Sequence, residues 1–365
     1  MSVSRPSFGA TLRLKAWALY CAIERQIPEI KDISIEVTRQ CNLSCRHCVV
    51  EATREPPAGE NMAMAPLLDF LAPLASRRVN GRPILVGLTG GEPLLYPGIF
   101  ELIAQLSHAG FEVRLVSNGT LISALLVEKL KSAGLAGITI SFDGDETFTD
   151  YLKGQPGTYR RVRRGLDILR EFGQIPTAII SCISSQNIAQ LSAIEAVVNA
   201  ARVKSWRIQP YIPTGRGRHQ TEIALSGSDY RSLLDFVSQA RIASRDYRLS
   251  FCCSGFLGPF YETRIRQFPY KCLAGINHLS ILADGSISGC PTLTDRRFVV
   301  GHIGQDQLLP LWENGFGLYR HLAWKKNEFC QGCRWWSNCL GEGMHMWDFE
   351  KKRPYRCIYR SLDER

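Results

Sequence analysis

The amino-acid sequence predicts an α/β protein: an incomplete (β/α)6 barrel of the TIM type, followed by a small cysteine-rich domain. Three observations carry this reading. Short apolar runs alternate with longer amphipathic ones between residues 32 and 209, the pattern of parallel βαβ units. The polar and glycine-rich motifs fall just after the apolar runs, where a β/α barrel gathers its ligand-binding loops. From about residue 272 the periodicity gives way to Gly, Cys and aromatic residues in short elements. A chain of 365 residues has the length of about two domains. Its 45% hydrophobic and 21% charged content suits a packed core and not a disordered chain.

The elements follow in order. Residues 11–27 read as an amphipathic helix, and residues 32–37, with Ile33, Ile35 and Val37 alternating, as a first strand. Helices over 62–74, 97–108, 121–133, 159–172 and 189–201 then alternate with strands over 83–88, 111–116, 137–142, 176–183 and 205–209. Gly110 is placed to stop the second of these helices. A helix over 228–243 and a loop or short helix over 255–268 end the regular part. The expected organisation is a helical extension over 1–30, the barrel over 31–245 and the cysteine-rich domain over 246–365.

Charge and hydropathy narrow the function classes. Lys plus Arg exceed Asp plus Glu by 44 to 34, a net charge of +10, which can attract nucleic acid, membranes or acidic ligands. The basic residues are scattered, with short clusters such as Arg160-Arg161-Val162-Arg163-Arg164, and no nucleic-acid module accompanies them. Solvated faces and contacts to small anions are the expectation. The first ten residues lack a signal-peptide core, and no run approaches the roughly 18 apolar residues of a membrane span. A cytoplasmic protein without membrane attachment is expected.

Thirteen cysteines without a signal peptide point to metal binding before disulfides. Eleven form two groups: Cys41, Cys45 and Cys48, then Cys252, Cys253, Cys272, Cys290, Cys330, Cys333, Cys339 and Cys357. Cys21 and Cys182 sit among apolar neighbours and read as inert core residues. The first group has the spacing Cys-x3-Cys-x2-Cys on the loop after the first strand. Three thiolates so close can embrace one [4Fe–4S] cubane and leave one iron without a protein ligand. An open coordination position marks a catalytic rather than a structural metal. A structural zinc site is the competing reading, but His47, between Cys45 and Cys48, is awkwardly placed to be its fourth ligand.

The segment Cys41-Asn42-Leu43-Ser44-Cys45-Arg46-His47-Cys48 resembles the signature of the radical SAM superfamily, and the resemblance covers most of the chain. It implies that the open iron chelates S-adenosylmethionine (SAM). Thr89-Gly90-Gly91-Glu92-Pro93 resembles the family's glycine-rich element. Gly90 and Gly91 would permit close backbone approach, Pro93 would close the turn, and Glu92 would offer an acceptor to the SAM ammonium. The resemblance further implies that Asn118 and Ser141 line the same pocket, with Ser141 near the methionine carboxylate or ribose; a simple strand-end turn at Asn118-Gly119 is the alternative. Pro213 to Gly217 resembles a family loop near the adenine. One departure stands out: the family often carries Arg where this chain has Lys153, so a carboxylate contact there would be monodentate or supplied elsewhere.

The tail resembles the SPASM extension of the same superfamily, which holds two auxiliary [4Fe–4S] clusters. By that resemblance Cys330, Cys333, Cys339 and Cys357 complete one cluster. Cys272 and Cys290 belong to a second, whose expected distal cysteine is replaced by Gly343. Cys252 or Cys253 would fill part of that gap. Zinc knuckles are the competing reading of Cys330-x2-Cys333. The aromatics Trp335, Trp336, Trp347, Phe349 and Tyr355 would shield the metal.

The implied activity is reductive cleavage of SAM to methionine and a 5′-deoxyadenosyl radical, which takes hydrogen from an unactivated C–H bond. An auxiliary cluster then accepts an electron, which favours an oxidative outcome such as a cross-link or dehydrogenation. The one-electron donor would be a flavodoxin or ferredoxin. The expected substrate is a peptide or protein, with a tetrapyrrole or another small molecule as the alternative. Residues 1–30 are too few for the leader-binding domain of many peptide maturases, so a peptide would be recognised by a separate leader-binding protein or by the barrel mouth. A non-catalytic iron–sulfur carrier is the other class, against which the Gly-Gly-Glu-Pro element argues. No general base stands out among Asp143, Asp145, Asp150, Glu262, His278 and His345; Asp145 and Asp150 read as solvated loop carboxylates.

Overall fold

The computed structural model describes residues 8–362 except Ala58, Ser244, Cys253 and Thr294, and the side chain of His219. The alternating β and α elements fold as the sequence indicates. The strands are β1 (Asp32–Glu36), β2 (Leu85–Thr89), β3 (Glu112–Ser117), β4 (Gly137–Ser141), β5 (Thr177–Ile183) and β6 (Ser205–Pro210). The helix α1 (Phe8–Gln26) precedes β1; between the strands lie α2 (Met64–Leu71), α3 (Ile99–His108), α4 (Ala124–Ser132), α5 (Glu146–Lys153), α6 (Thr158–Phe172) and α7 (Leu191–Ala200), with α8 (Gly227–Ile242) after β6. Each strand of the series pairs in parallel with the next, from Asp32 beside Leu85 to Ala178 beside Ser205.

Period-two burial on the strands meets period-3.6 burial on the helices. Ile33, Val86, Leu115, Ile140, Ile179 and Ile208 are buried along the sheet, and Leu102, Leu106, Val162 and Leu166 face it from α3 and α6. Side-chain caps set helix starts where the sequence turns: Ser123 accepts from Leu126 N, and Ser226 forms a capping box with Asp229.

Three features depart from the sequence reading. First, α5 forms where a loop was expected. Asp145 is its N-cap, accepting from Phe148 N at 2.8 Å, and Asp150 accepts from Tyr159 N at 2.8 Å and from Gly157 N. Neither is a merely solvated carboxylate. Second, a seventh parallel strand, β7 (Arg248–Phe251), pairs with β6 just beyond residue 245. Third, the cysteine-rich segment joins the barrel's own sheet. Its strand β8 (His278–Ile281) lies parallel to β1, and β9 (Ser286–Ser288) and β10 (Gly301–His302) extend the sheet antiparallel, giving the order β10-β9-β8-β1-β2-β3-β4-β5-β6-β7. The helix α9 (Gly258–Ile265) and the short helix Trp336–Cys339 pack against α1. Among the described residues no helix is long and apolar enough to cross a membrane.

Candidate functional site

The C-terminal ends of β1 to β5 open onto a cavity of about 330 Å³. Cys41, Cys45 and Cys48 line it, with Gly90, Gly91, Asn118 and Ser141. The sequence-predicted residues are therefore brought together, except Glu92 and Pro93.

The glycines act first on the protein's own backbone. Gly91 N donates to Thr38 O at 2.7 Å and Glu92 N to Gln40 O at 2.8 Å, so the motif runs alongside the segment that enters the cysteine loop. A Cβ on Gly91 would meet Gln40 O at 2.3 Å, far inside contact distance. Glu92 turns away from the cavity. It is fully buried, and its carboxylate accepts from Ser117 Oγ at 2.9 Å, Asn118 N at 2.8 Å and Leu94 N at 3.3 Å. Burial pushes its carboxyl up to about 7 against those donors. Its position fits a brace between β2 and β3 better than an acceptor for a ligand ammonium. Pro93 starts the short 3-10 turn behind it.

Asn118 does face the loop. Its Nδ2 donates to Asn42 Oδ1 at 2.9 Å, and its Oδ1 accepts from Thr120 N at 3.0 Å. The loop is held from the far side too. Arg216 N donates to Cys48 O and its guanidinium to Cys45 O, each at 2.9 Å, with a further bond to Ala52 O. Arg46 N reaches Leu152 O at 2.8 Å at the end of α5. The segment expected near an adenine thus clamps the cysteine loop.

A buried ion pair forms one wall. Lys153 Nζ lies 2.7 Å from Asp143 Oδ2 and donates to Ser141 Oγ at 2.7 Å. Asp143 Oδ1 accepts from Cys182 N at 2.7 Å. Burial would raise the Asp143 carboxyl, but Lys153 and the hydrogen bonds hold it below its usual value. Lys153 is therefore engaged by two partners of its own chain, Asp143 and Ser141. His47 is half-buried, with its Nδ1 buried and unpartnered; desolvation, then Lys153, pushes it down to about 4, so the ring is neutral.

Of the two cysteines read as core, Cys182 departs from that role, while Cys21 is buried as expected. Cys182 lines the site cavity, and burial raises its thiol strongly. Cys21, on α1, lines a narrow second cavity with Cys272, Cys339 and Glu342. Of the acid–base candidates, His345 lines the site, while Glu262 is buried against Arg266 and accepts from Leu257 N and Tyr270 N.

The tail cysteines fall into two neighbourhoods. Burial is the main cause that raises the Cys330, Cys339 and Cys357 thiols, and Cys333, Cys357 and Cys330 respectively add to it, which places the four near one another. Cys290 is raised chiefly by burial, with Cys272 and Cys252 contributing. Cys253 lies outside the described residues. Among the described residues no three His, Cys, Asp or Glu side chains close around a single ion. The donor sets are thiol-rich, and Cys41, Cys45 and Cys48 at the loop and Cys272 and Cys339 in the tail line cavities, which fits multi-iron clusters, whose cysteines bind different irons. Sequence reasoning missed the Asp143–Lys153 pair, the Arg216 clamp and Glu342. Each had a partial signal: Lys153 stands where the family often carries Arg, Arg216 lies in the Pro213–Gly217 loop, and Glu342 stands beside Gly343, where a cysteine was expected.

Comparison with known proteins agrees with this geometry. The family model described as "Radical SAM superfamily" matches residues 35–195, and that described as "Iron-sulfur cluster-binding domain" matches residues 272–334. An AdoMet-dependent heme synthase of Methanosarcina barkeri is 28% identical over 90% of this chain and 96% of its own. A mycofactocin maturase of Mycobacterium ulcerans is 26% identical over 84% of this chain and 80% of its own. Among solved structures, Streptococcus suis SuiB bound to S-adenosylmethionine superposes with a TM-score of 0.71 at 18% identity, covering 91% of this chain and 78% of that one; this shows the shared fold. The barrel, the cysteine loop and the thiol-rich tail thus have one explanation: the chain belongs to the radical SAM superfamily, binds [4Fe–4S] clusters and SAM, and carries a C-terminal iron–sulfur cluster-binding domain.

Proposed function

We propose that this enzyme oxidises a side chain of an anionic tetrapyrrole. The observation that carries the reading is the similarity to the Methanosarcina heme synthase, which spans 90% of this chain and 96% of the relative. It therefore includes the cysteine-rich tail as well as the barrel. An apolar stretch of the cavity wall, with Val49, Val50 and Ile212, suits a flat macrocycle, and a net charge of +10 favours the approach of a polycarboxylate.

The bound cluster and SAM supply the one-electron chemistry. The chain's residues do the rest. Cys41, Cys45 and Cys48 hold the cluster while Arg216 and Asn42 fix their loop. Gly90 and Gly91, Asn118 and Ser141 orient SAM beside it. The Asp143–Lys153 pair presents a nearly neutral wall, and the apolar residues exclude water. A small acidic one-electron donor such as a flavodoxin or ferredoxin fits the basic chain.

A peptide substrate is the second reading, favoured by the similarity to the mycofactocin maturase over 84% of the chain. One experiment separates the two. Enzyme rebuilt without oxygen, reduced and given SAM, is offered an iron tetracarboxylate porphyrin or short peptides encoded beside its gene. Deoxyadenosine formation with a mass change in the porphyrin, absent in Cys45→Ala, supports the proposal. Turnover stimulated by a peptide alone replaces it with the second reading.

A further inference from the structure

The tail resembles a domain with two cluster sites but lacks one cysteine, at position 343. The residue before it, Glu342, is 1% exposed. One carboxylate oxygen, Oε2, accepts from Phe256 N at 2.8 Å; the other, Oε1, is buried without a hydrogen-bond partner. An orphaned buried carboxylate oxygen is costly unless something else binds it. Glu342 lines the narrow cavity that also contains Cys272 and Cys339, so it stands between the two thiol neighbourhoods.

The backbone is shaped to put it there. Leu340, Gly341 and Glu342 are all left-handed, with φ of 53°, 75° and 67°. Two non-glycine residues so close together in this region are strained, and such strain persists only when the surroundings impose it. Gly255 makes room for the Glu342 carboxylate: a Cβ on that glycine would lie 1.7 Å from Glu342 Oε2. The four thiols of Cys330, Cys333, Cys339 and Cys357 already match the ligand number of one cluster. The neighbourhood of Cys272, Cys290 and Cys252 is short of one.

We propose that Glu342 supplies, through Oε1, the oxygen ligand that replaces the missing cysteine in the auxiliary cluster built on Cys272 and Cys290. An oxygen-ligated iron is harder than a thiolate-ligated one and exchanges its ligand more readily. This auxiliary cluster would therefore differ spectroscopically from its neighbour. The assignment does not depend on the substrate.

The test uses full-length protein, rebuilt without oxygen and with no substrate added. Iron and acid-labile sulfide are counted, and the reduced clusters are examined by electron paramagnetic resonance. Glu342→Gln keeps the size and an acceptor for Phe256 N. It is expected to lose one cluster's worth of iron, or to convert that cluster to a three-iron form, while the other signals persist. Gly343→Cys added to Glu342→Gln is expected to restore the iron with an altered signal; φ at Gly343 is −61°, and the nearest atoms a Cβ there would meet belong to the side chains of His345 and Tyr270, at 2.9 and 3.0 Å, and not to backbone. Unchanged iron and spectra in Glu342→Gln would overturn the proposal. Should that variant fail to fold, wild-type protein carrying 13C-glutamate decides: hyperfine coupling from a glutamate carboxylate to a reduced auxiliary cluster is expected, and its absence overturns the assignment.

Discussion

The Arg216 guanidinium donates to the Cys45 carbonyl oxygen at 2.9 Å, so a residue after the sixth strand fixes the middle cysteine of the loop after the first. Its own N–H holds Cys48 O at the same distance. The guanidinium bond is charge-assisted and part-buried, worth about 1.5–3 kcal/mol, and the neutral backbone bond is worth about 0.5–1.5 kcal/mol. Arg216→Ala is expected to lower the iron retained by the loop and to cut SAM cleavage by at least about tenfold. Arg216→Lys, a point charge without the fork, should recover only part. Iron retention on a desalting column and deoxyadenosine assays check both.

The pair of Lys153 and Asp143, both almost fully buried at 2.7 Å, predicts a large asymmetry. Lys153→Met leaves a buried carboxylate uncompensated and should cost about 3–5 kcal/mol. Adding Asp143→Asn should return most of that loss, because the uncompensated charge is then gone. Urea unfolding of the two variants and wild type measures the difference.

Glu92 predicts a pH dependence. Its folded value near 7 lies above the ordinary 4.5, so the native state binds the proton more tightly than the unfolded chain. That stabilisation is complete below about 4.5 and is lost as pH rises towards 7, by roughly 3 kcal/mol. Glu36, raised by burial to about 7 despite Arg39, acts with the same sign. Glu92→Gln should therefore flatten, without abolishing, the fall in apo-protein stability between pH 5 and pH 8. It should also be less stable than wild type at pH 5, because its amide NH2 faces one of three donors. Denaturation at several pH values reads both effects.

Gly91→Ala places a methyl 2.3 Å from Gln40 O. Backbone must move, at about 1–3 kcal/mol or more, and what moves is the strand entering the cysteine loop. Expected are near-native secondary structure, weakened SAM binding and lower iron retention, checked by circular dichroism, calorimetry and iron assay. Unaltered SAM affinity would dissociate this glycine from the site.

Most of the barrel was legible because its strands, such as Ile33-Ser34-Ile35 and Thr139-Ile140-Ser141, carry an unbroken period, and because the cysteine loop has a distinctive spacing. Helix α5 was not, since Asp143-Gly144-Asp145 advertises a turn and the helix inside it is only 8 residues long. The direction of Glu92 was hidden because its partners, Ser117 and Asn118, lie on another strand. Cys182 reads as apolar core because strand neighbours on either side are buried; its own side chain alternates to the cavity face. The joining of β8 to β1 has no local signal at all, being a pairing between segments far apart in sequence.

That last pairing bears on how the protein is made. On the ribosome β1 emerges early, yet the neighbour on one of its edges, β8, follows only after most of the chain has been synthesised. Until then the edge that leads into the cysteine loop is open, a template for unwanted strand addition. Pairing over so long a separation is also slow to form. A nascent chain truncated before residue 278 should be aggregation-prone even with every barrel helix present, and chaperone dependence during expression should fall once the tail has closed that edge.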